Sequence, residues 1–406
     1  MISDEAAAAL EPMDGMQPCL GILYGAPIAG QPRYGRAVGL FRLLSRLAPH
    51  HGLFVFIFTP DDLSHLPAQG RVAGRFFDGR SWLPRLFPVP QVVYDRALAG
   101  DDAGRLALAR TRARLPATIP FVNSPAFAAA VSDKWLVYRT LSANPDLAGH
   151  LPETHLAGRD YGCVAGLCRR LGPVVVKDRR GSRALGVLFV RPAGRGGFEL
   201  TAGRAGPVPG AGPESGSGPE RAAATSRLVS GDRDMEAVLS DLLGSREVLV
   251  QRAVERARHE GRHGIELRVV MHRTPPSGSG ADPPDRWLRT GMVCRLASPE
   301  MPFLALGQEH DERPSLVLPG AIGEVAAAAA LDDARRLARE VAWDLETSFG
   351  RGGELAVDFL IGADGRPYFL EVNAAPAMLF RATSAERLRR RGAERILRYA
   401  AYLASS

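Results

Sequence analysis

Apolar positions along the chain fall into two alternating patterns. Short unbroken runs at residues 19–24, 53–58 (LFVFIF), 92–94 and 118–122 read as buried strands, because the strands of a mainly parallel sheet are apolar on both faces. Between the first two, residues 38–47 carry apolar side chains at helical spacing. A structureless start at 1–18 and a small open α/β domain over 19–122 follow from this alternation. Pro84, Pro88 and Pro90 predict an ordered loop carrying Trp82 between the second and third runs. Ser132 and Asp133 precede a helix whose apolar face is expected to be Trp135, Leu136, Tyr138 and Leu141. Residues 172–190 (GPVVVKDRRGSRALGVLFV) read as strand, loop and strand. The stretch 194–230 is rich in Gly, Pro, Ser and Ala without periodicity and predicts a disordered insertion. A helix is expected at 235–243, strands at 247–254, 264–272 and 287–296, and a flexible tip at 274–285. A long helix at 325–349 and a basic amphipathic helix at 385–403, packed rather than membrane-bound, complete the series.

The stretch 356–376 (AVDFLIGADGRPYFLEVNAAP) departs from simple burial. Two apolar runs flank Asp364-Gly365, a dipeptide suited to a two-residue type I′ turn. With those two residues at the turn, antiparallel counting sets Asp358 opposite Glu371, and Asn373 lies two residues further on the same face. Like charges directly opposite one another destabilise a strand pair. Two carboxylates and an amide oxygen on one face are reasonable around a hard cation, and an exposed, solvated hairpin is the alternative.

Composition narrows the chemistry. The four cysteines, Cys19, Cys163, Cys168 and Cys294, have no CxxC spacing, and the acidic, Ala-rich start has no secretory signal pattern, which points to free thiols in the cytosol. No apolar run is long enough to span a bilayer. Net charge is +7, but the charges are scattered rather than gathered in a stripe with aromatics, so a nucleic-acid partner is not expected. Of 51 lysine and arginine residues only Lys134 and Lys177 are lysine. A compact ammonium can point at phosphate oxygens in a tight site, which a planar guanidinium cannot replace. Lys177 ends a run of valines and feeds a loop holding Gly181, Ser182 and Gly186, whose backbone N–H groups and hydroxyl suit phosphate oxygens.

Two lysines, a Gly/Ser loop between strands, a strand ending at Gln251, the pair Glu266 and Arg268, and an acid/acid/Asn hairpin occur in that order. Over roughly 120–376 the constellation resembles the ATP-grasp superfamily, and within it the YheC/YheD type described as endospore-coat associated. The resemblance implies an α/β (α+β) ATP-grasp fold with nucleotide between two sheets. It implies a first domain at 19–122, an ATP-grasp domain at 123–380 with the insertion at 194–230, and a terminal helix at 381–406. By the same resemblance Lys134 and Lys177 contact ATP, and Gly181, Ser182 and Gly186 cover its phosphates. Gln251, Arg252, Ala253 and Val254 read the adenine edge, Glu266 lies in the nucleotide site, and Asp358, Glu371 and Asn373 hold magnesium, or manganese. Departures are Asp178 and Ala184 in the loop, and Ala356 where one branch carries a helping arginine. That catalytic role passes to Arg268 and Arg295.

The implied activity is ligation of a carboxylate to an amine or thiol through an acylphosphate, with small-molecule or peptide substrates. Self-association or a spore coat are the expected partners, and cytosol or spore the expected location. An ATP-binding surface protein without turnover and an ATP-dependent phosphotransferase remain the alternatives.

Overall fold

The computed structural model describes residues 17–25, 34, 37–63, 70–97, 102–181, 186–202, 225–276, 286–297, 310–376 and 385–406. The first apolar run forms β1 (Cys19–Leu23), followed by α1 (Val38–Leu47), β2 (Phe54–Phe58), β3 (Arg71–Phe77), β4 (Trp82–Pro88), β5 (Val92–Asp95) and α2 (Asp102–Arg112). The sheet order is β4-β3-β2-β1-β5, with β1 parallel to both β2 and β5. The segment around Pro84 and Pro88 is therefore a strand, not a loop: β4 pairs with β3 along its whole length, Pro84 opposite Arg75 and Pro88 opposite Arg71. It lies at the edge of the sheet, where a residue without an N–H is tolerated. The expected strand at 118–122 shrinks to one parallel bridge, Val93 to Phe121, because Pro120 lacks an N–H and Ile119 N is taken up in a turn with Pro116 O.

The second sheet begins after three short helices, α3 (Pro125–Val131), α4 (Lys134–Ser142) and α5 (Pro145–Ala148). It contains β6 (Thr154–Gly158), β7 (Val174–Asp178), β8 (Leu188–Pro192), β9 (Phe198–Ala202), β10 (Thr225–Val229) and β11 (Val248–Arg252), with α6 (Cys163–Leu171) and α7 (Asp232–Leu243) packed on it. Its order is β10-β9-β8-β7-β11-β6. The stretch expected to be structureless contributes β9 and β10, which pair from Ala202–Thr225 to Phe198–Val229. Phe198, Leu200 and Val229 bury in that sheet's core, so a few apolar residues in a Gly/Pro-rich stretch suffice for strands. Residues 203–224 lie outside the described residues. Of the expected face of α4 only Leu141 is buried, and Val137 joins it in place of the others. Leu136 is exposed, and Trp135 stacks on Tyr138.

The third sheet comprises β12 (Arg258–His259), β13 (His263–Arg273), β14 (Trp287–Leu296), β15 (His310–Glu312), β16 (Glu354–Ile361) and β17 (Pro367–Asn373). Its main order is β15-β14-β13-β16-β17. Helices α8 (Pro314–Ile322) and α9 (Glu324–Phe349) cover one face, where Leu267, Val269, Val357 and Phe359 meet Leu337, Val341 and Leu345 of α9. Burying each of these side chains contributes about 1.5–3 kcal/mol. Strand alternation then turns Glu266, Arg268 and Asp358 to the opposite face. The last helix, α10 (Ala385–Ser405), packs through Ile396, Leu397, Ala400 and Leu403 against β1, β2 and α1 of the first sheet. No described helix is long and apolar enough to cross a membrane.

Candidate functional site

The β16–β17 hairpin pairs Asp358 with Glu371, but not through a two-residue turn at Asp364-Gly365. Gly362 N donates to Arg366 O at 2.9 Å and Gly365 N to Gly362 O at 2.9 Å, enclosing a three-residue loop. Gly365 takes φ +78°, the left-handed position that such a loop reserves for glycine. Next to the loop the register is Ile361–Pro367, Leu360–Tyr368 and Phe359–Phe369. A bulge at Leu370 then shifts it by one residue, restoring Asp358–Glu371 and Ala356–Asn373. Without the bulge, Glu371 would share a face with Phe369 and enter the apolar core under α9. The bulge aims Glu371 into a cleft of about 3090 Å³ between the sheets and turns the Leu370 carbonyl toward Lys177.

The walls of the cleft gather Lys134, Lys177, Gly181, Gln251, Arg252, Ala253, Val254, Glu266, Arg268, Arg295, Glu371 and Asn373. Asp358 and Gly186 are not in its wall, and Ser182 lies outside the described residues. Lys177 closes the valine run of β7 and is buried. Its ammonium donates to two neutral oxygens, Gln251 Oε1 at 3.0 Å and Leu370 O at 3.4 Å. Burial and the neighbouring Lys134 push its pKa down to about 8, and Glu371 opposes the shift. Lys134 begins α4, whose N-cap is Asp133, and its Nζ contacts Gly181 O and Asp178 O. Among the described residues the two ammonium groups are hydrogen-bonded to carbonyl and amide oxygens, an arrangement suited to an anion.

Gln251 acts here through its side chain. Its Oε1 accepts from Lys177, and its Nε2 donates to Thr154 Oγ1 at 2.8 Å, whose hydroxyl donates to Pro152 O. In the linker that follows, Arg252 N and Ala253 N donate to Glu153 O and Pro173 O.

On the sheet floor, Arg268 pairs across β16 with Asp358, and Glu266 across β14 with Arg295. Arg268 grips Asp358 with two bonds of 2.7 and 2.6 Å, and Arg295 reaches both Asp358 and Glu266 at 3.2 Å. Burial pushes the Asp358 carboxyl up, yet the guanidiniums of Arg268 and Arg295 outweigh it and hold it below the usual range. For Glu266 burial wins over Arg295 and Arg256, and its pKa is raised. Glu371 forms no ion pair among the described residues, and Asn373 Oδ1 accepts from Ala375 N at 2.9 Å. Glu371 and Asn373 thus offer oxygens suited to a hard cation, whereas both oxygens of Asp358 are taken and its side chain is buried. The expected trio does not assemble as one ligand set in this arrangement, and no cluster of three acidic, His or Cys side chains suited to a metal occurs among the described residues.

The Arg268–Asp358 pair carries a stability prediction. Arg268→Met should cost about 3–5 kcal/mol in urea unfolding, because it leaves a buried carboxylate under-compensated, and adding Asp358→Asn should recover part of the loss. Equal losses in the single and double variants would refute the coupling.

Arg256, half-buried in the cleft wall 3.8 Å from Glu266, joins the site unannounced by the sequence, as do Thr154, Asn123 and Arg96. Nothing in the sequence marks them, since their partners lie up to 280 positions away.

A family model for "YheC/D like ATP-grasp" matches residues 119–403. The chain is similar to the endospore coat-associated protein YheD of Bacillus subtilis, 27% identical over 149 residues. That match spans 36% of this chain and 31% of that protein, less than a third of its length. Among solved structures, D-alanyl-alanine synthetase A from Vibrio cholerae superposes with a TM-score of 0.54 at 14% identity, covering 96% of this chain and 100% of that one. The VanG D-Ala:D-Ser ligase from Enterococcus faecalis gives 0.54 at 13%, covering 95% and 100%. D-alanine–D-alanine ligase from Bacillus anthracis, solved with ATP, gives 0.52 at 12%, covering 96% and 97%. At these identities the likeness establishes the fold.

Proposed function

Because the chain belongs to the YheC/D-like ATP-grasp family, we propose that it is an ATP-dependent ligase joining a carboxylate to an amine or thiol, with release of ADP and phosphate. The observation that carries this reading is Lys177, a buried ammonium in the cleft wall whose hydrogen-bond partners among the described residues are two neutral oxygens. A phosphate oxygen would supply a hydrogen-bonded counter-charge, since the Glu371 carboxylate acts on Lys177 without pairing with it, and Lys134 stands beside it.

A carboxylate oxygen of the substrate attacks the γ-phosphorus and ADP leaves. The amine nitrogen or thiol sulfur then attacks the acyl carbon, and phosphate departs carrying one former carboxylate oxygen. Arg268 and Arg295, in the cleft floor, are suited to the acylphosphate and to the oxyanion formed on it. The nucleophile belongs to the substrate, so the chain needs no Ser-His or Cys-His pair. A divalent cation at Glu371 and Asn373 would offset phosphate charge. The small-molecule and peptide classes both fit a cleft of this size. A spore-associated location is compatible with the likeness to YheD.

A second reading, nucleotide binding without turnover, is favoured by one observation: the Asp358 carboxylate is closed by two arginines. Incubation with ATP, magnesium and a pool of carboxylates and amines separates the two. ADP formed only when both substrates are present supports ligation, and bound ATP without ADP under every combination supports the second reading.

A further inference from the structure

Glu371 and Asn373 stand at the open end of the β16–β17 hairpin, and residues of the first domain and its exit close that end. Asn123 spends its whole amide on backbone. Its Nδ2 donates to Glu354 O (2.9 Å) and Ala374 O (2.6 Å), and its Oδ1 accepts from Gly353 N (2.7 Å) and Glu354 N (3.0 Å). Arg96, the residue after β5, donates to Pro376 O at 2.9 Å through Nη2 and to the Glu354 carboxylate at 3.2 Å through Nη1. Tyr94 OH donates to the same carboxylate oxygen at 2.7 Å. His272 Nε2 lies 3.3 Å from the other oxygen, outside hydrogen-bonding geometry. Glu354 and His272 are fully buried. Burial pushes the Glu354 carboxyl up, and His272, Arg96 and Tyr94 together hold it low.

The position of Arg96 in the sheet adds to its meaning. From β1 the chain passes to β2 on one side and later returns as β5 on the other, so β1 and β5 flank the topological switch point. Ligands of open α/β sheets bind at the carboxyl ends of strands at such a point. Arg96 follows the carboxyl end of β5, and its neighbours Asp95 and Ala97 line the cleft. Arg96 thus sits between two cleft-lining residues at the end of β5, while its side chain reaches the segment that carries Glu371 and Asn373.

We propose that Arg96 and Asn123 are positioning residues. By holding Ala374 and Pro376 they set where Glu371 and Asn373 stand relative to Lys177, and they tie the first domain to the phosphate end of the cleft. A purely structural ion pair would be complete with Glu354 alone. The bond from Arg96 to Pro376 O and that from Asn123 to Ala374 O reach instead to the residues directly after the site. The consequence for turnover rests on the ligase reading, whereas the geometry does not.

Amide hydrogen exchange of Ala375 tests this, because its N–H donates to Asn373 Oδ1 and so reports the order of Asn373. The variant Arg96→Met/Glu354→Gln removes both charges of the buried pair together with the bond to Pro376 O. Tyr94→Phe removes a bond to the same carboxylate but leaves that grip intact. Exchange at Ala375 should quicken about tenfold in the double variant and stay within about twofold in Tyr94→Phe, while Val341 in α9 is unchanged in both. Unchanged exchange at Ala375 in the double variant, or an equal rise at Val341, would overturn the proposal. Should the double variant not fold, Arg96→Lys is read by the same criteria, since it keeps a charge beside Glu354 but has no fork to span both partners. In the turnover assay the double variant should lose about tenfold in kcat with the ATP KM within about twofold. A wild-type protein that makes no ADP with any substrate pair refutes the ligase reading, and the exchange result still decides the positioning role.

Discussion

Replacing Lys177 with methionine should lower ATP affinity about 100-fold, the loss expected when one charge-assisted phosphate contact is removed. The same change should leave the nucleotide-free protein more stable at pH 7. An unfolded lysine titrates near 10.5, and in the folded chain burial and Lys134 bring Lys177 to about 8. Between those values the unfolded chain binds more protons, so wild-type stability rises with pH across the window, and below pH 8 the full penalty is present. That penalty is at most about 3 kcal/mol, and Gln251 Oε1 left without its donor gives back a part, for a net gain of about 1 kcal/mol. Urea unfolding at pH 7 and pH 10 reads the stability, and calorimetric titration reads the affinity. ATP binding by wild type should also weaken as pH rises above 8, because the free protein must then take up a proton to bind. Unaltered affinity in the methionine variant would mean that the lysine does not touch phosphate.

Glu371→Ala should reduce turnover by about 1000-fold or more while ATP affinity changes by less than about tenfold. Glu371 makes no ion pair among the described residues and only offsets part of the penalty on Lys177, so its removal should lower stability by no more than about 1 kcal/mol. The acid faces the cleft only because of the bulge at Leu370. Steady-state ADP release and urea unfolding on the same preparation separate the two effects. Residual turnover near that of wild type would remove Glu371 from the site.

These two residues also indicate how far the sequence could be read. Lys177 stands out because arginine fills nearly every other basic position, and the structure places it buried in the wall of the cleft. The pairing of Asp358 with Glu371 was legible from the hairpin, although the two-residue turn behind that count was not the one formed. A loop one residue longer and a bulge of one residue offset each other, and neither leaves a mark in the apolar pattern. The closure of Asp358 by Arg268 and Arg295 was not legible, because it depends on three strands meeting in register. Gln251 was picked out by its place at a strand end, yet its side chain turns inward to Lys177, which only the pairing of β7 with β11 reveals. β9 and β10 are not legible in the sequence because Gly and Pro dominate the surrounding stretch, and tertiary burial of Phe198, Leu200 and Val229 outweighs that composition. Edge placement similarly let β4 keep its prolines.

The fate of the carboxylate oxygen tests the ligase reading most directly. Carboxylates labelled with ¹⁸O, supplied as a pool of amino acids and peptides with ATP, magnesium and unlabelled amines, should yield ADP together with phosphate carrying one ¹⁸O atom. Mass spectrometry of the phosphate reads the label. Unlabelled phosphate, or ATP bound and recovered intact with every substrate, would contradict an acylphosphate route through this cleft.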